Sequence, residues 1–180
     1  MKLVITGTPG TGKTTVGKAL AARLGVTLVE ANGVARRAKC FKAGSRSEVD
    51  VMRLEKALQQ ELRGLRKGFV AEGHLLCEVR LACDACVVLR CNPAVLSKRL
   101  KARGYGRKKL GDNLLCEALD YCLLAAEARY PAGRVVQVDA SKTTRLAGRV
   151  LAAAKLLEGD RVDWSGMVAE KRFQTLWKGL

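Results

Sequence analysis

The stretch that decides the fold is Lys2-Leu3-Val4-Ile5-Thr6, followed at once by Gly7-Thr8-Pro9-Gly10-Thr11-Gly12-Lys13-Thr14-Thr15. The first part is a short β-favouring run. The second matches G-x-x-x-x-G-K-[ST] and leads into a helical pattern that continues to Leu24. The motif carries meaning in this position, after a strand and at the opening of a helix. There the glycines permit a tight loop whose N–H groups turn inward as an anion nest, and the helix adds the positive end of its dipole. In that geometry Lys13 reaches the β- and γ-phosphates of a nucleotide, Thr14 offers a hydroxyl to Mg²⁺, and Thr15 can touch the α-phosphate. A glycine-rich turn that served only strand-to-helix packing would need neither Lys13 nor Thr14.

Outward from the loop, short strand-like runs alternate with longer helical ones, the pattern of an α/β domain with a parallel sheet. Strands are expected at Val26–Val29, at Phe69–Ala71 ending on Glu72, at Ala85–Leu89 and at Arg134–Val138. A short basic helix is expected from Asn32 to Lys39. A long amphipathic one carries Val51, Leu54, Leu58, Leu62 and Leu65, opened by a capping box from Ser47 to Asp50. Asn92-Pro93 opens a further helix with Leu96 and Leu100 inward, Leu110 to Arg129 reads as one helix, and Leu146, Val150 and Leu157 mark the last. The fold expected is a three-layer α/β/α P-loop NTPase domain with a five-stranded parallel sheet. Asp160 to Leu180 carries Trp164, Met167, Val168, Phe173, Leu176 and Trp177, and is expected to pack as a helix on the domain or on a partner.

With 180 residues, 48% of them hydrophobic, the chain can fill one core. No run approaches the ~20 apolar residues of a membrane span, and the start MKLVITG has no leader pattern, so no membrane partner is expected and the location expected is cytoplasmic. The seven cysteines are odd in number and sit in apolar segments, which suits buried thiols in a reducing compartment. Cys83 and Cys86 have the spacing of half a zinc site, but no second pair accompanies them and the one histidine, His74, is on another segment. Core cysteines are the simpler reading.

The formal charge of +16 points to phosphates, nucleic acid or an anionic surface. Its distribution is uneven. Arg36, Arg37, Lys39, Lys42 and Arg46 form one acid-free window, and Lys98, Arg99, Lys101, Arg103, Arg107, Lys108 and Lys109 another, so that 12 of the 16 excess charges lie in two segments. Solvated helix faces tolerate such runs, but charges this dense repel unless polyanions sit among them, and here the polyanions at hand are phosphates. Glu72-Gly73-His74 ends the third strand, where Glu72 stands in the usual place of the Mg²⁺ carboxylate. His74 is open to two readings, a group that orients a water or phosphate and a plain surface hydrogen-bonding residue.

Taken together, the loop, the helix with Ala35-Arg36, Glu72-x-His74, and Arg103-Gly104-Tyr105-x-x-Lys108-Lys109-Leu110-x-Asp112-Asn113 followed by Cys116-Glu117 resemble the adenylate kinase isoenzyme 6 type of nucleoside monophosphate kinase, archaeal members included. The resemblance spans residues 1 to 157. It implies a kinase domain over 1–158, with a monophosphate-binding segment at 30–53 and a short lid at 102–112, and leaves 159–180 as an appendage. It implies that Gly10, Gly12, Lys13, Thr14 and Thr15 hold ATP phosphates, that Arg103 is a lid arginine on ATP, that Lys142 lies beside the adenine, and that Arg36 clamps the AMP phosphate. Family members carry Asp where this chain has Glu72. The activity implied is broad-specificity phosphoryl transfer from MgATP to AMP, with Lys13, Arg103 and His74 as the catalytic set, Arg99 assisting Arg103, and Thr14 and Glu72 on the metal. ATPase activity is also implied, as is a role in small ribosomal subunit maturation with a ribosomal protein and the 16S rRNA precursor as partners. An ATPase-driven assembly factor in which AMP phosphorylation is incidental is the alternative. A small-metabolite kinase of the shikimate or gluconate type is a third, but it would lack the R-G-Y-x-x-K-K string.

Overall fold

In the computed structural model, which describes residues 1–45 and 48–169, strand β1 (Lys2–Thr6) runs up the middle of the sheet and delivers the glycine loop at its C-terminal end. Helix α1 (Lys13–Leu24) follows, then β2 (Thr27–Glu30), α2 (Ala31–Arg37), α3 (Val51–Arg63), β3 (Phe69–Glu72), β4 (Ala85–Arg90), α4 (Pro93–Ala102), α5 (Arg107–Ala118), α6 (Tyr121–Arg129), β5 (Val135–Asp139) and α7 (Leu146–Leu156). Short 3₁₀ turns lie at His74–Cys77 and Ser165–Ala169. The five strands are ordered β2-β3-β1-β4-β5, with every pairing parallel. This is the expected α/β architecture, and the boundaries of the strands expected by sequence move by at most one residue.

A parallel sheet covered on both faces must be apolar on both, and the strands divide their side chains accordingly. Val4, Phe69, Ala71, Cys86 and Val88 join the layer beneath α2, α3 and α6, while Leu3, Ile5, Val70, Ala85, Val87 and Leu89 join the layer beneath α1 and α7. Leu54, Leu58 and Leu62 are the buried stripe of α3, with Val51 and Leu65 packed at its margin. Asp50 caps α3 by accepting from Arg53 N at 3.1 Å, and Ser47, the other half of the expected capping box, lies outside the described residues. Cys86 is fully buried and Cys83 packs against the same layer.

Two expectations need correction. The basic helix α2 stops at Arg37, because Lys39 takes a left-handed φ of 51°. The helix expected from Leu110 to Arg129 is two helices, and α5 starts earlier, at Arg107. They break at Asp120, which has φ 57° and whose carboxylate pairs with the buried Arg90. Beyond α7, Gly159 and Asp160 lie along β5: Asp160 N donates to Gln137 O at 2.9 Å, and Asp139 N donates to Asp160 Oδ2 at 2.8 Å. The appendage is a 3₁₀ turn over Ser165–Ala169, and residues 170–180 lie outside the described residues. No helix among the described residues is long and apolar enough to cross a membrane.

Because β1 lies between β3 and β4, successive connections leave it in opposite directions and a crevice opens at the C-terminal ends of the strands. The glycine loop, the His74 turn and the α4–α5 hairpin all converge there.

Candidate active site

The loop leaves β1 through Gly7, whose φ is 131° and whose missing Cβ would stand 2.3 Å from Leu89 O. A side chain there is excluded both by conformation and by the neighbouring strand. Gly10 has φ 95°, and a Cβ would press on Leu100 Cδ2 and Leu96 Cδ1 at 2.8 and 2.9 Å. The loop therefore sits directly on the α4–α5 hairpin. Thr11 closes it by donating from its hydroxyl to Thr8 O at 2.9 Å.

Lys13 is buried at the start of α1 and folds back onto the loop, donating from Nζ to Gly7 O at 2.8 Å and to Thr8 O at 3.0 Å. Burial lowers its pKa to about 8, opposed by the nearby Cys122, Glu72, Glu117 and Cys77. Thr14 Oγ1 donates to Glu72 Oε1 at 3.1 Å. Burial pushes the Glu72 carboxyl up, while Thr14 and Lys13 pull it down. Two hard oxygen donors beside a phosphate nest fit Mg²⁺, which takes one or two protein ligands and otherwise phosphate oxygens and water. His74 is held at the sheet end, its carbonyl accepting from Thr6 Oγ1 at 3.3 Å and from Cys77 Sγ at 3.1 Å. Burial first, then Lys13 and Lys109, lowers its pKa to about 4, so the imidazole is neutral near pH 7.

Gly10, Gly12, Lys13, Thr14, Thr15, Glu72, His74 and Arg103 all line one cleft of about 370 Å³, which also takes in Asn32, Tyr105 and Lys109. Lys109 Nζ lies 4.6 Å from the centre of the Tyr105 ring, a cation–π contact between the first turn of α5 and the segment before it. Arg36 lines a second, wider cleft of about 920 Å³ with Phe41, Lys42, Asp50, Met52 and Glu78. His74 and Asn32 line both clefts, so the two meet at those residues. A third opening of about 450 Å³ adjoins the loop at Gly10, Gly12 and Thr15 and is walled by Val16, Ala19, Leu146 and Ala147.

Lys142 does not line the third opening, whose wall in that segment is Thr143 and Arg145 through Gly148. Arg99 lines the third opening together with Arg103 and the loop glycines, donating to Ala140 O and Ser141 O, each at 3.0 Å. Of the second basic window only Arg99, Arg103 and Lys109 line these clefts, while Lys98, Lys101 and Lys108 are exposed. In the first window Arg37 pairs with Glu61 at 2.8 Å and Lys42 pairs with Glu48, and Arg46 lies outside the described residues. The two windows therefore supply less of the site's charge than their density suggests. Asn32 and Tyr105 are lining residues that sequence reasoning did not single out. Asn32 carries no motif signal, whereas Tyr105 lies inside the Arg103-Gly104-Tyr105 string.

Comparison with known proteins agrees with this geometry. Residues 3–120 match a family model described as an AAA domain. A protein of Thermococcus kodakarensis named "Putative adenylate kinase" is 39% identical over 145 residues, covering 80% of this chain and 78% of that one. Its namesake in Methanocaldococcus jannaschii is 32% identical over 184 residues, covering 98% and 97%. Among solved structures, shikimate kinase from Bacteroides thetaiotaomicron superposes with a TM-score of 0.58 at 20% identity, covering 87% of this chain and 98% of that one. A gluconokinase from Sinorhizobium meliloti gives 0.57 at 20%, covering 87% and 92%. At such identities those two share the fold. The sequence kinship lies with the archaeal proteins, and the chain belongs to their adenylate kinase family.

Proposed function

We propose that the chain is a nucleoside monophosphate kinase that moves the γ-phosphoryl group of ATP onto AMP, with slower hydrolysis of ATP at the same site. The observation that carries this reading is that the cleft of the phosphate loop and the cleft of Arg36 are contiguous through His74 and Asn32. A hydrolase needs room only for water beside the γ-phosphate, whereas a second cleft of about 920 Å³ with a basic residue at its wall suits a phosphorylated acceptor.

Phosphoryl transfer depends on alignment and on cancelling charge rather than on covalent help from the protein. The loop N–H groups and Lys13 grip the donor. Lys13 must give up its bonds to Gly7 O and Thr8 O to do so, which exchanges two carbonyls for phosphate oxygens. Thr14 and Glu72 would hold Mg²⁺, which would supply positive charge to offset the negative charge developing on the transferring group. Arg36 anchors the acceptor phosphate, and Arg103 comes over the reacting groups from the lid. Closure of that lid excludes water as a competing acceptor. When closure is incomplete, the neutral His74 can accept a hydrogen bond from a water at the junction, which accounts for hydrolysis as a side reaction. The third opening, apolar on its α1 and α7 walls, suits the adenine of ATP.

The alternative, a nucleotide-driven factor in small ribosomal subunit assembly that grips a ribosomal protein or the 16S rRNA precursor, is favoured by the +16 charge and by Lys98, Lys101 and Lys108, which lie outside the clefts. ADP formation from ATP separates the two. Strong stimulation by AMP supports the kinase. Stimulation by purified small-subunit components and not by AMP overturns it in favour of the assembly factor.

A further inference from the structure

One buried polar group near the loop takes no part in the chemistry above. Glu117, in the last turn of α5, is 1% exposed, and both of its carboxylate oxygens are satisfied. Oε2 accepts from Thr8 Oγ1 at 2.5 Å, and Oε1 accepts from Arg90 Nε at 3.0 Å and from Cys91 N at 2.9 Å. Arg90, also 1% exposed, spends its remaining donors on Glu117 O at 3.0 Å, on Gln137 Oε1 at 2.9 Å and on Asp120. Thr8 belongs to the phosphate loop but lines none of the three clefts; its hydroxyl is turned to α5.

The other end of α5 is the lid. Its first turn carries Lys109, which lines the donor cleft with Tyr105 and Arg103. A 12-residue helix is a rod of roughly 18 Å, so what fixes one end fixes the other. An apolar seat also joins hairpin and loop, where Gly10 rests on Leu96 and Leu100 in the small cluster with Cys91, Leu110 and Leu114. Apolar packing provides cohesion but tolerates sliding. A fully buried ion pair gives little net stability once its desolvation is counted, but its directional bonds do fix a register.

We infer that Glu117 is a positioning residue. Its bond to Thr8 locks the lid helix in register with the phosphate loop, so that Arg103, Tyr105 and Lys109 come down over the phosphates that Lys13 holds. The activity half of this inference rests on the kinase reading.

The test is Thr8→Val in the full chain, with Thr8→Ser as the conservative rescue. The variant removes one hydroxyl and leaves Glu117 its bonds to Arg90 and Cys91 N, so the ion pair survives; Thr8→Ala serves if Thr8→Val does not fold. Expected for Thr8→Val are a kcat for AMP phosphorylation down about tenfold, an AMP KM within twofold of wild type, and a several-fold larger share of turnovers ending in hydrolysis. Thr8→Ser returns all three to within twofold. Hydrogen exchange with Mg²⁺ and a non-hydrolysable ATP analogue gives a readout independent of the acceptor. Residues 103–110 gain protection in wild type and lose most of that gain in Thr8→Val, while residues 10–14 stay protected in both. Unchanged kcat and hydrolysis share, or unchanged protection of 103–110, overturns the inference. If AMP fails to stimulate the wild type, the kinase reading falls and the exchange result alone decides whether the lock exists.

Discussion

The clefts proposed for donor and acceptor meet at His74 but are built in opposite ways. On the proposed donor side the loop is tied to its surroundings: Lys13 on two carbonyls, Thr14 on Glu72, Thr11 on Thr8, and Thr8 on Glu117. On the proposed acceptor side the cleft is wide, Arg36 is exposed and donates to the carbonyl of Asn32 at 3.2 Å, and Lys42 is paired with Glu48 at the surface. The phosphate loop is thus ordered by its own bonds, with Lys13 exchanging two carbonyls for phosphate oxygens, while the proposed acceptor site must close around its ligand. Preorganisation belongs to the half of the site that the chemistry has in common with many enzymes, and adaptability to the half that chooses a substrate.

The largest effect that would break this contrast comes from Lys13→Ala. Loss of one preorganised charge on the transferring group is expected to cost about 10³-fold in both ATP hydrolysis and AMP phosphorylation, read as ADP release. If only one activity falls, the two do not share a site. Arg36→Ala should separate the halves: an AMP KM higher by about 10- to 100-fold, as loss of a charge-assisted hydrogen bond implies, with ATP hydrolysis in the absence of AMP within twofold. Unchanged AMP turnover would move the acceptor elsewhere.

A smaller effect follows from pH. The free-protein pKa of Lys13 is about 8, and phosphates bind its charged form. Well below pH 8 the lysine is protonated and ATP affinity is flat; above it, binding must first take up a proton, so the Kd for ATP rises, by at most about fivefold between pH 8 and 9. AMP binding relies on an arginine and should stay level over the same interval. Fluorescence titration of both nucleotides at pH 7, 8 and 9 measures the difference. The smallest effect is expected at Glu61→Gln, which removes the exposed partner of Arg37. Such pairs contribute about 0–1 kcal/mol, so Tm should move by only a few degrees at most and AMP kinetics not at all. A change in AMP KM there would mean that α2 is poised by its surface charges.

How much of this was legible in the sequence depended on the range over which each feature is determined. The phosphate loop is fixed by nine consecutive residues, and the strands by their own apolar runs, so both could be read directly. The break between α5 and α6 could not, because Asp120 is turned left-handed by a charge thirty positions away, Arg90, hidden inside a strand. The partners of Arg99 were illegible for a related reason: the carbonyls that hold its guanidinium, those of Ala140 and Ser141, lie far along the chain. Charge density counted along the chain likewise overstated the site, since neighbours in sequence point to different faces of a helix.

The strip formed by Gly159 and Asp160 along β5 has a consequence for how the chain behaves in a crowded solution. An open strand edge presents unpaired N–H and C=O groups to any passing chain and is a template for stacking. Here Asp160 takes the carbonyl of Gln137 and the amide of Asp139, and Gly159 lies so close that a Cβ would stand 2.3 Å from Gln137 O. These two residues act as a built-in guard on that margin of the sheet. A chain shortened to end at Glu158 would keep every catalytic group proposed above, yet leave that margin uncovered and ready to recruit another copy of itself.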